Sequence, residues 1–285
     1  MTVTVPSHAC DCHAHVFGDP GLYPLAPGAD YRPAPAPVAA YHARLDTLGL
    51  DRGVLVQPSV YGTDNRCLVD ALDSMDGRAR GVAVIDRDTD RQTLTDLHAA
   101  GVRGVRLNTL AGNMTGVDGG TVLETARQVA PLGWHVQLLA MPEAIHAWRD
   151  IIAAAPCPVV FDHFALMTPE ADLDAPPAQA VFDLLATGAA LVKLSAPYLK
   201  GPQQADRYGA LSRIARRLCA SGPDRVVWGS DWPHPALPGT HPEERVFLDI
   251  LADWCPDPEL RVRILVDTPA WLYDFPIEAS KTKGP

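Results

Sequence analysis

The sequence predicts an α/β protein that folds as a (β/α)8 TIM barrel. Eight short apolar runs alternate with helix-like segments, in units of roughly 25 to 35 residues. Several runs, such as Val82–Ile85, are apolar at consecutive positions, as strands covered on both faces require. A chain of 285 residues with 47% hydrophobic residues can bury the core that such a barrel needs.

Each predicted strand is a short apolar run bounded by polar residues, glycine or proline. In chain order, the strands are Ala9–Phe17, Gly53–Val60, Gly81–Asp86, Gly104–Asn108, Trp134–Ala140, Pro158–Phe164, Ala190–Ala196 and Arg225–Trp232. An open Rossmann-like sheet is the alternative fold, but no GxGxxG motif follows the first strand.

The segments between the strands have apolar residues at three-and-four spacing, which indicates amphipathic helices. The second helix has an apolar face around Leu68 and Leu72, and the seventh has one around Leu211 and Leu218. The other predicted helices are Val38–Leu48, Thr89–Ala100, Asp118–Ala130, Pro142–Ala154, Ala175–Thr187 and His241–Trp254.

We expect one domain over residues 1–277, followed by a flexible polar tail over 278–285. The segment 18–37 after the first strand is rich in proline and glycine and is too long for a plain βα turn. In a barrel this loop lies over the mouth at the carboxyl ends of the strands.

Charge and hydropathy narrow the class of partner. The chain has 24 basic and 34 acidic residues, a net charge of −10, which argues against a nucleic-acid partner. No apolar run approaches the roughly 18 to 20 residues of a membrane span, and the segment 1–9 lacks the pattern of a signal peptide. We expect a cytoplasmic protein that binds a small molecule, and homo-oligomerisation stays open.

The first strand carries an unusual pair of histidines. Strand alternation puts Asp11, His13 and His15 on one face, with Cys10 and Cys12 on the other. Two imidazoles at a strand end can ligate a metal ion or polarise a carbonyl oxygen.

Other chemically active residues follow later strands. His163 closes the sixth apolar run, and Asp231 follows an eighth strand that is otherwise apolar, where a buried carboxylate must be paired or functional. Arg106 is expected to point into the mouth, where a fixed cation suits a substrate carboxylate. For Lys193, a role in the site and a buried ion pair in the core are both open.

Three histidines and one aspartate around a single mouth indicate a reaction class. The histidines can stabilise charge on a carbonyl oxygen while Asp231 removes a proton from water. This combination predicts hydrolysis of an ester, lactone or amide.

The motifs together resemble a known family. They are Asp11-Cys-His-Ala-His-Val-Phe-Gly18, Val56-Gln-Pro-Ser-Val-Tyr-Gly-Thr-Asp-Asn65, Val102-Arg-Gly-Val-Arg-Leu-Asn108, Phe161-Asp-His-Phe164 and Trp228-Gly-Ser-Asp-Trp-Pro-His-Pro235. In this order they are similar to the amidohydrolase superfamily (amidohydrolase-related family 2), in the branch of 2-pyrone-4,6-dicarboxylate lactonase and sugar-acid lactonases. The resemblance implies a TIM barrel of the amidohydrolase type and an enzyme that hydrolyses cyclic carboxylic esters.

The resemblance also implies roles for individual residues. His13, His15 and His163 would polarise the lactone carbonyl, and Asp231 would be the general base that activates water. The expected substrate-binding residues are Tyr31, Ser59, Arg106, Asn108, Gln137, Tyr198 and His234.

Metal dependence follows from the same resemblance. Some members of the branch work without a divalent metal, and Gln137 stands where metal-dependent relatives place a ligating histidine. We expect His135 to have the wrong parity to replace it, so no cofactor is required. The alternative is one Zn²⁺ ion on His13, His15 and Asp231.

The expected substrate is a lactone with one anionic group bound by Arg106 and a less polar remainder near Leu166 and Tyr198. Within the same superfamily, a zinc-dependent hydrolase, a non-oxidative decarboxylase or a lactone isomerase stays open. The alternative of another class is a ligand-binding barrel without catalytic activity.

Overall fold

The structure, a computed structural model, describes residues 2–111, 116–200, 211–237 and 244–276. One sheet of eight parallel strands has the order β1 to β8. The strands are β1 Cys10–Ala14, β2 Arg52–Val56, β3 Ala79–Ala83, β4 Val102–Asn108, β5 His135–Leu139, β6 Val159–Phe161, β7 Ala190–Leu194 and β8 Val226–Trp228. A parallel bridge between Ala14 and Trp232 joins the two ends of the sheet. The predicted (β/α)8 barrel is therefore confirmed.

Helices follow the strands and surround the sheet. They are α1 Val38–Leu48, α2 Arg66–Asp73, α3 Arg91–Ala99, α4 Gly119–Val129, α5 Pro142–Ala147, α6 Arg149–Ala153, α7 Pro176–Ala186, α8 Ser212–Ser221, α9 Glu244–Asp249, α10 Leu251–Trp254, α11 Pro258–Val262 and α12 Thr268–Leu272. A π-helical turn over Arg263–Asp267 connects the last two. None of the helices in the described ranges is both long enough and apolar enough to cross a membrane.

Two predicted helices differ from the structure. The predicted helix Pro142–Ala154 is divided at Trp148 into α5 and α6. The predicted helix His241–Trp254 begins in 241–243, which lie outside the described residues, and its remainder forms α9 and α10. The expected tail 278–285 also lies outside the described residues.

Local signals explain several helix ends. The Asp90 side chain accepts a hydrogen bond from Thr93 N and caps α3, and Asp118 caps α4 in the same way through Thr121 N. Helix α1 ends at Gly49, whose φ of 74° lies in the left-handed region that glycine adopts without strain. The two aspartates thus fix where α3 and α4 begin, and Gly49 fixes where α1 ends.

Buried apolar residues form two clusters. The larger one fills the space between the sheet and the helices. The smaller one lies inside the barrel and is closed from below by the segment after α12, and it comprises Cys10, Cys12, Val54, Val56, Val82, Val160, Leu191, Val227, Ala270, Leu272, Tyr273 and Phe275. We call this inner cluster the floor of the barrel.

The first strand departs from simple alternation. Its pairing with β2 shifts between Asp11 and Ala14, so one residue is inserted in the register. Cys10 and Cys12 belong to the floor inside the barrel, whereas Asp11 is paired with Gly53 and bonded to the β8 side. The expectation that Asp11, His13 and His15 share one face is therefore wrong, because the inserted residue turns His13 and His15 inward.

Candidate active site

A cavity of ≈ 870 Å³ opens at the carboxyl ends of the strands. Residues 31–37 of the long first loop form part of its wall, and the base of that loop is pinned by backbone hydrogen bonds between Phe17 and Ala36. Of the predicted site residues, those lining the cavity are His15, Tyr31, Ser59, Arg106, Asn108, His163, Asp231 and His234. The expected catalytic residues His15, His163 and Asp231 thus share one cavity with the guanidinium group of Arg106.

His13, His15 and Asp231 form the centre of the cluster. The Nε2 atoms of His13 and His15 are 3.3 Å apart, and each lies 3.4 Å from Oδ1 of Asp231. His15 Nδ1 lies 2.8 Å from the carbonyl oxygen of Val56, so this nitrogen carries a hydrogen and donates it. His13 is fully buried and lies one layer below the cavity.

His163 approaches the same centre from β6. A ligand atom of His163, one of His13 and one of Asp231 all lie within 4.8 Å of one another. Burial lowers the pKa of His163 to about 4, so the ring is neutral at pH 7. Ser195 Oγ lies 2.8 Å from Nδ1 and can donate to it, in which case Nε2 carries the hydrogen.

Asp231 is held by its backbone and by Tyr198. Its φ of 61° lies in the left-handed region, which is uncommon for aspartate and recurs at functional sites. The Tyr198 hydroxyl donates to Oδ2. Burial acts to raise the pKa of Asp231, but the close approach of His15 and the imidazoles of His163 and His13 outweigh it and lower the pKa below its usual value. The carboxylate is therefore ionised at neutral pH.

Tyr198 takes a different place from the one expected. It is not among the residues lining the cavity, its ring packs edge-on against His234 at 5.2 Å, and its hydroxyl is used by Asp231. Tyr198 therefore contacts Asp231 in the structure, and its contact with a substrate stays a prediction. Leu166, expected beside it, does line the cavity.

Asp11 braces the loop that carries Asp231. Its carboxylate accepts hydrogen bonds from Ser230 N at 2.8 Å, Ser230 Oγ at 2.5 Å and His13 N at 3.1 Å. Gly229 allows the close approach of β8 and β1, because a Cβ there would lie 2.6 Å from the Cβ of His13. These contacts fix the separation of His13 and Asp231.

Asp162 is the buried hub of the site. Its Oδ2 accepts from Arg106 Nε at 3.0 Å and from Gln137 Nε2 at 3.1 Å, and its Oδ1 lies 3.3 Å from His13 Nδ1. Burial acts to raise the pKa of Asp162, but Arg106 and His13 outweigh it, so the carboxylate is ionised. Sequence reasoning did not select Asp162, although it follows the apolar strand β6 as Asp231 follows β8.

Gln137 and His135 lie on the same strand, β5, at different depths in the barrel. Gln137 is fully buried, does not line the cavity and bonds to Asp162 and Lys193. Its contact with a substrate stays a prediction. His135 lies on the same strand face as Gln137, two residues lower, where its ring packs on Tyr273 at 5.2 Å. The prediction that His135 has the wrong parity is therefore wrong, because its side chain points to the same side of β5 as that of Gln137. His135 lies too deep in the barrel to reach the site.

Three expected substrate-binding residues border the cavity. Tyr31 reaches over the mouth, and burial raises its pKa, so its hydroxyl stays protonated. Asn108 accepts a hydrogen bond from Leu110 N at 2.9 Å, and Ser59 lies on the turn after β2. These side chains offer hydroxyl and amide groups to a ligand.

His234 is held in place by a buried glutamate, Glu244. Its Nε2 lies 3.1 Å from Glu244 Oε1, whose other oxygen lies 3.2 Å from Arg44 Nε. Glu244 and Arg44 were not predicted, because only the folded chain brings α1 and α9 together at this histidine. The pair orients the cavity wall beside Asp231.

The residues present fit a single divalent ion. Zinc ligands about 2.1 Å from a tetrahedral ion lie about 3.4 Å apart, and His13 Nε2, His15 Nε2 and Asp231 Oδ1 have that spacing. Asp231 Oδ1 is buried and has no hydrogen-bond partner among the described residues. The set matches the expected alternative, and His163 is a further donor beside it.

Known proteins share this chain's sequence and architecture. A 2-pyrone-4,6-dicarboxylate hydrolase of Comamonas testosteroni is 36% identical over 94% of this chain and 91% of its own. A 4-sulfomuconolactone hydrolase of Rhizobium radiobacter is 33% identical over 96% of this chain and 92% of its own. A solved probable 2-pyrone-4,6-dicarboxylic acid hydrolase of Acinetobacter baumannii, with citric acid bound, has a TM-score of 0.83 and 28% identity over 94% of this chain and 100% of that chain.

The family model described as amidohydrolase matches residues 10–275, which include β1, the last helix and every candidate site residue named above. This span covers most of the chain, and relatives above 30% identity cover nearly all of it. The chain therefore belongs to the amidohydrolase family.

Proposed function

We propose that this protein is a hydrolase that opens a carboxylated lactone or pyrone-type cyclic ester without a metal ion. The observation that carries the proposal is the ionised carboxylate of Asp231, which lines the cavity with Oδ1 between two imidazoles. The names of the lactone-hydrolysing relatives support the same substrate class.

Asp231 is the proposed general base. Its Oδ1 removes a proton from a water molecule, and the water oxygen attacks the lactone carbonyl carbon. When the ring carbon–oxygen bond breaks, the same carboxyl group returns the proton to the leaving oxygen. The hydroxyl of Tyr198 keeps Oδ2 engaged, so Oδ1 is the oxygen left for this transfer.

His163 is the histidine proposed to stabilise the charge that develops on the carbonyl oxygen. His163 is the direct donor, because Ser195 can supply a hydrogen to its Nδ1 and leave a hydrogen on its Nε2. His15 borders the cavity, while His13 lies behind it and bonds to its Nε2. His13 and His15 therefore surround Asp231 Oδ1 with polar ring nitrogens.

The substrate is bound as a carboxylate by Arg106 and as a ring by apolar residues. Arg106 uses Nε on Asp162, which leaves the far side of the guanidinium to a ligand. The apolar part of the cavity wall comprises Phe17, Leu110, Leu139, Leu166, Leu199 and Trp232. This combination suits a flat, unsaturated lactone with one acidic group.

A zinc-dependent reaction is the second candidate, favoured by the spacing of the three ligand atoms. His13, His15 and Asp231 would hold the ion, and His13 Nδ1 faces Asp162 as metal-bound histidines face a carboxylate. A bound zinc ion would polarise the carbonyl and lower the pKa of water.

Hydrolysis by chelator-dialysed protein separates these candidates. The panel contains 2-pyrone-4,6-dicarboxylate, 4-sulfomuconolactone, muconolactone and neutral 2-pyrone, and proton release is measured with and without added Zn²⁺ or Mn²⁺. We expect turnover of at least one acidic lactone that survives chelation.

Other results would each overturn the proposal in a defined way. Activity only after Zn²⁺ or Mn²⁺ is restored would establish the metal-dependent reaction. Release of carbon dioxide without ring opening would indicate a decarboxylase, and a rearranged lactone would indicate an isomerase. Binding without turnover would indicate a ligand-binding barrel.

A further inference from the structure

We infer that Lys193 is a positioning residue whose ammonium group balances the charge of Asp162 and thereby leaves Arg106 free to bind a carboxylate. The inference rests on the proposed function and explains how its anion site works. Lys193 acts through Asp162 and Arg106 and does not line the cavity.

Lys193 is tied to the centre of the site by short contacts. Its Nζ donates to Gln137 Oε1 at 2.6 Å and to the carbonyl oxygen of Cys12 at 2.9 Å. It also lies 3.4 Å from His13 Nδ1 and 3.9 Å from Asp162 Oδ1. The side chain is fully buried, so solvent does not screen these interactions.

The position of the charges makes Lys193 necessary. Arg106 and Asp162 form a buried ion pair at 3.0 Å, and by themselves they would cancel. An incoming carboxylate would then meet no net positive charge and would lose its hydration without compensation. With Lys193 on the opposite side of Asp162, the three groups carry a net charge of +1.

Gln137 connects the two sides of this arrangement. Its amide oxygen accepts from Lys193, and its amide nitrogen donates to the Asp162 oxygen that Arg106 also uses. Lys193 Nζ donates to two oxygen atoms and lies beside the Asp162 carboxylate, which are the surroundings of an ammonium group. The cation therefore persists where the substrate's charge must be matched.

Calorimetric titration with citrate tests the inference without requiring turnover. Citrate is a carboxylate probe that a structural relative holds in its crystal structure. We expect Lys193→Met to weaken citrate binding about 10-fold or more, the scale of one charge-assisted contact. Asp162→Asn is expected to tighten binding, and the double variant Lys193→Met/Asp162→Asn is expected to recover affinity because the net charge returns to +1.

Two further variants separate charge from packing. Gln137→Met breaks the hydrogen bond to Lys193 without changing a charge, so its effect should be much smaller than that of Lys193→Met. Arg106→Met should abolish citrate binding, which places the probe on this cation. If Lys193→Met does not fold, Asp162→Asn alone still tests the inference. Citrate binding by Asp162→Asn that is unchanged or weaker than that of the wild type contradicts the inference.

Three further results would overturn the inference. They are wild-type protein that does not bind citrate, a double variant weaker than Lys193→Met, and Gln137→Met as weak as Lys193→Met. Failure of the proposed function looks different: the lactone panel stays silent while the citrate series follows the expected order.

Discussion

The mouth and the floor of this barrel are built on the same strands yet have opposite chemistry. The floor contains cysteine, valine, leucine and aromatic side chains. One or two residues after the floor positions of β1, β6 and β7, the interior positions become His13, Asp162 and Lys193, and β5 contributes Gln137 beside them. The change occurs within a single layer of side chains, so it separates a region that stabilises the fold from one that holds charges.

Two histidines make the comparison concrete. His135 lies at the floor, where its ring packs on Tyr273. Burial and, to a smaller extent, the charge of Lys193 lower its pKa to about 3. His163 sits at the mouth, also neutral, but beside Ser195 and Asp231. Burial makes both rings neutral. Only His163 lies beside polar groups that could take part in a reaction.

The largest expected effect is at the mouth. Asp231→Asn keeps the side-chain volume but removes the proposed base, so kcat should fall by about 10²- to 10⁴-fold. Proton release on the acidic lactone measures the loss, with the exposed Asp183→Asn as a matched control. Turnover close to wild type in Asp231→Asn would remove Asp231 from the role of base.

Tyr198→Phe tests how the mouth holds its base. The variant removes the hydroxyl that donates to Asp231 Oδ2, so kcat should fall by about 10-fold, as for one hydrogen bond to a charged group. KM should change little, because Tyr198 does not line the cavity. A rise in KM with kcat unchanged would instead support the predicted contact between Tyr198 and the substrate.

The floor should respond through stability alone. His135 is neutral when folded and accepts a proton when unfolded, so the folded state is fully favoured above the unfolded pKa of about 6.5 and loses stability as pH falls towards 3. His135→Gln should reduce the slope of unfolding free energy against pH by about 1.4 kcal/mol per unit within that window.

Urea unfolding of wild type and His135→Gln at several pH values from 7.5 down to 4 measures this slope. Turnover at pH 7.5 should be unchanged, because His135 touches none of the proposed catalytic groups. Parallel stability curves for the two proteins would show that His135 is not the group that titrates.

The sequence by itself was enough for the barrel and for most of the polar side chains that meet at its mouth. Eight apolar runs spaced by amphipathic segments identify the fold because burial on two faces requires continuous apolar strands. Parallel strands of a barrel bring their carboxyl ends to one edge, so residues that follow those runs, such as His163 and Asp231, could be expected to meet.

The tertiary structure decided which of these residues touch one another. The inserted residue in β1 turns His13 inward and Asp11 away, which alternation cannot foresee. The closure of the floor by Tyr273 and Phe275, the pairing of Tyr198 with Asp231 and the hub at Asp162 all depend on contacts between distant segments. Local patterns determine which side chains reach an edge, but only packing determines their distances and thus their charges.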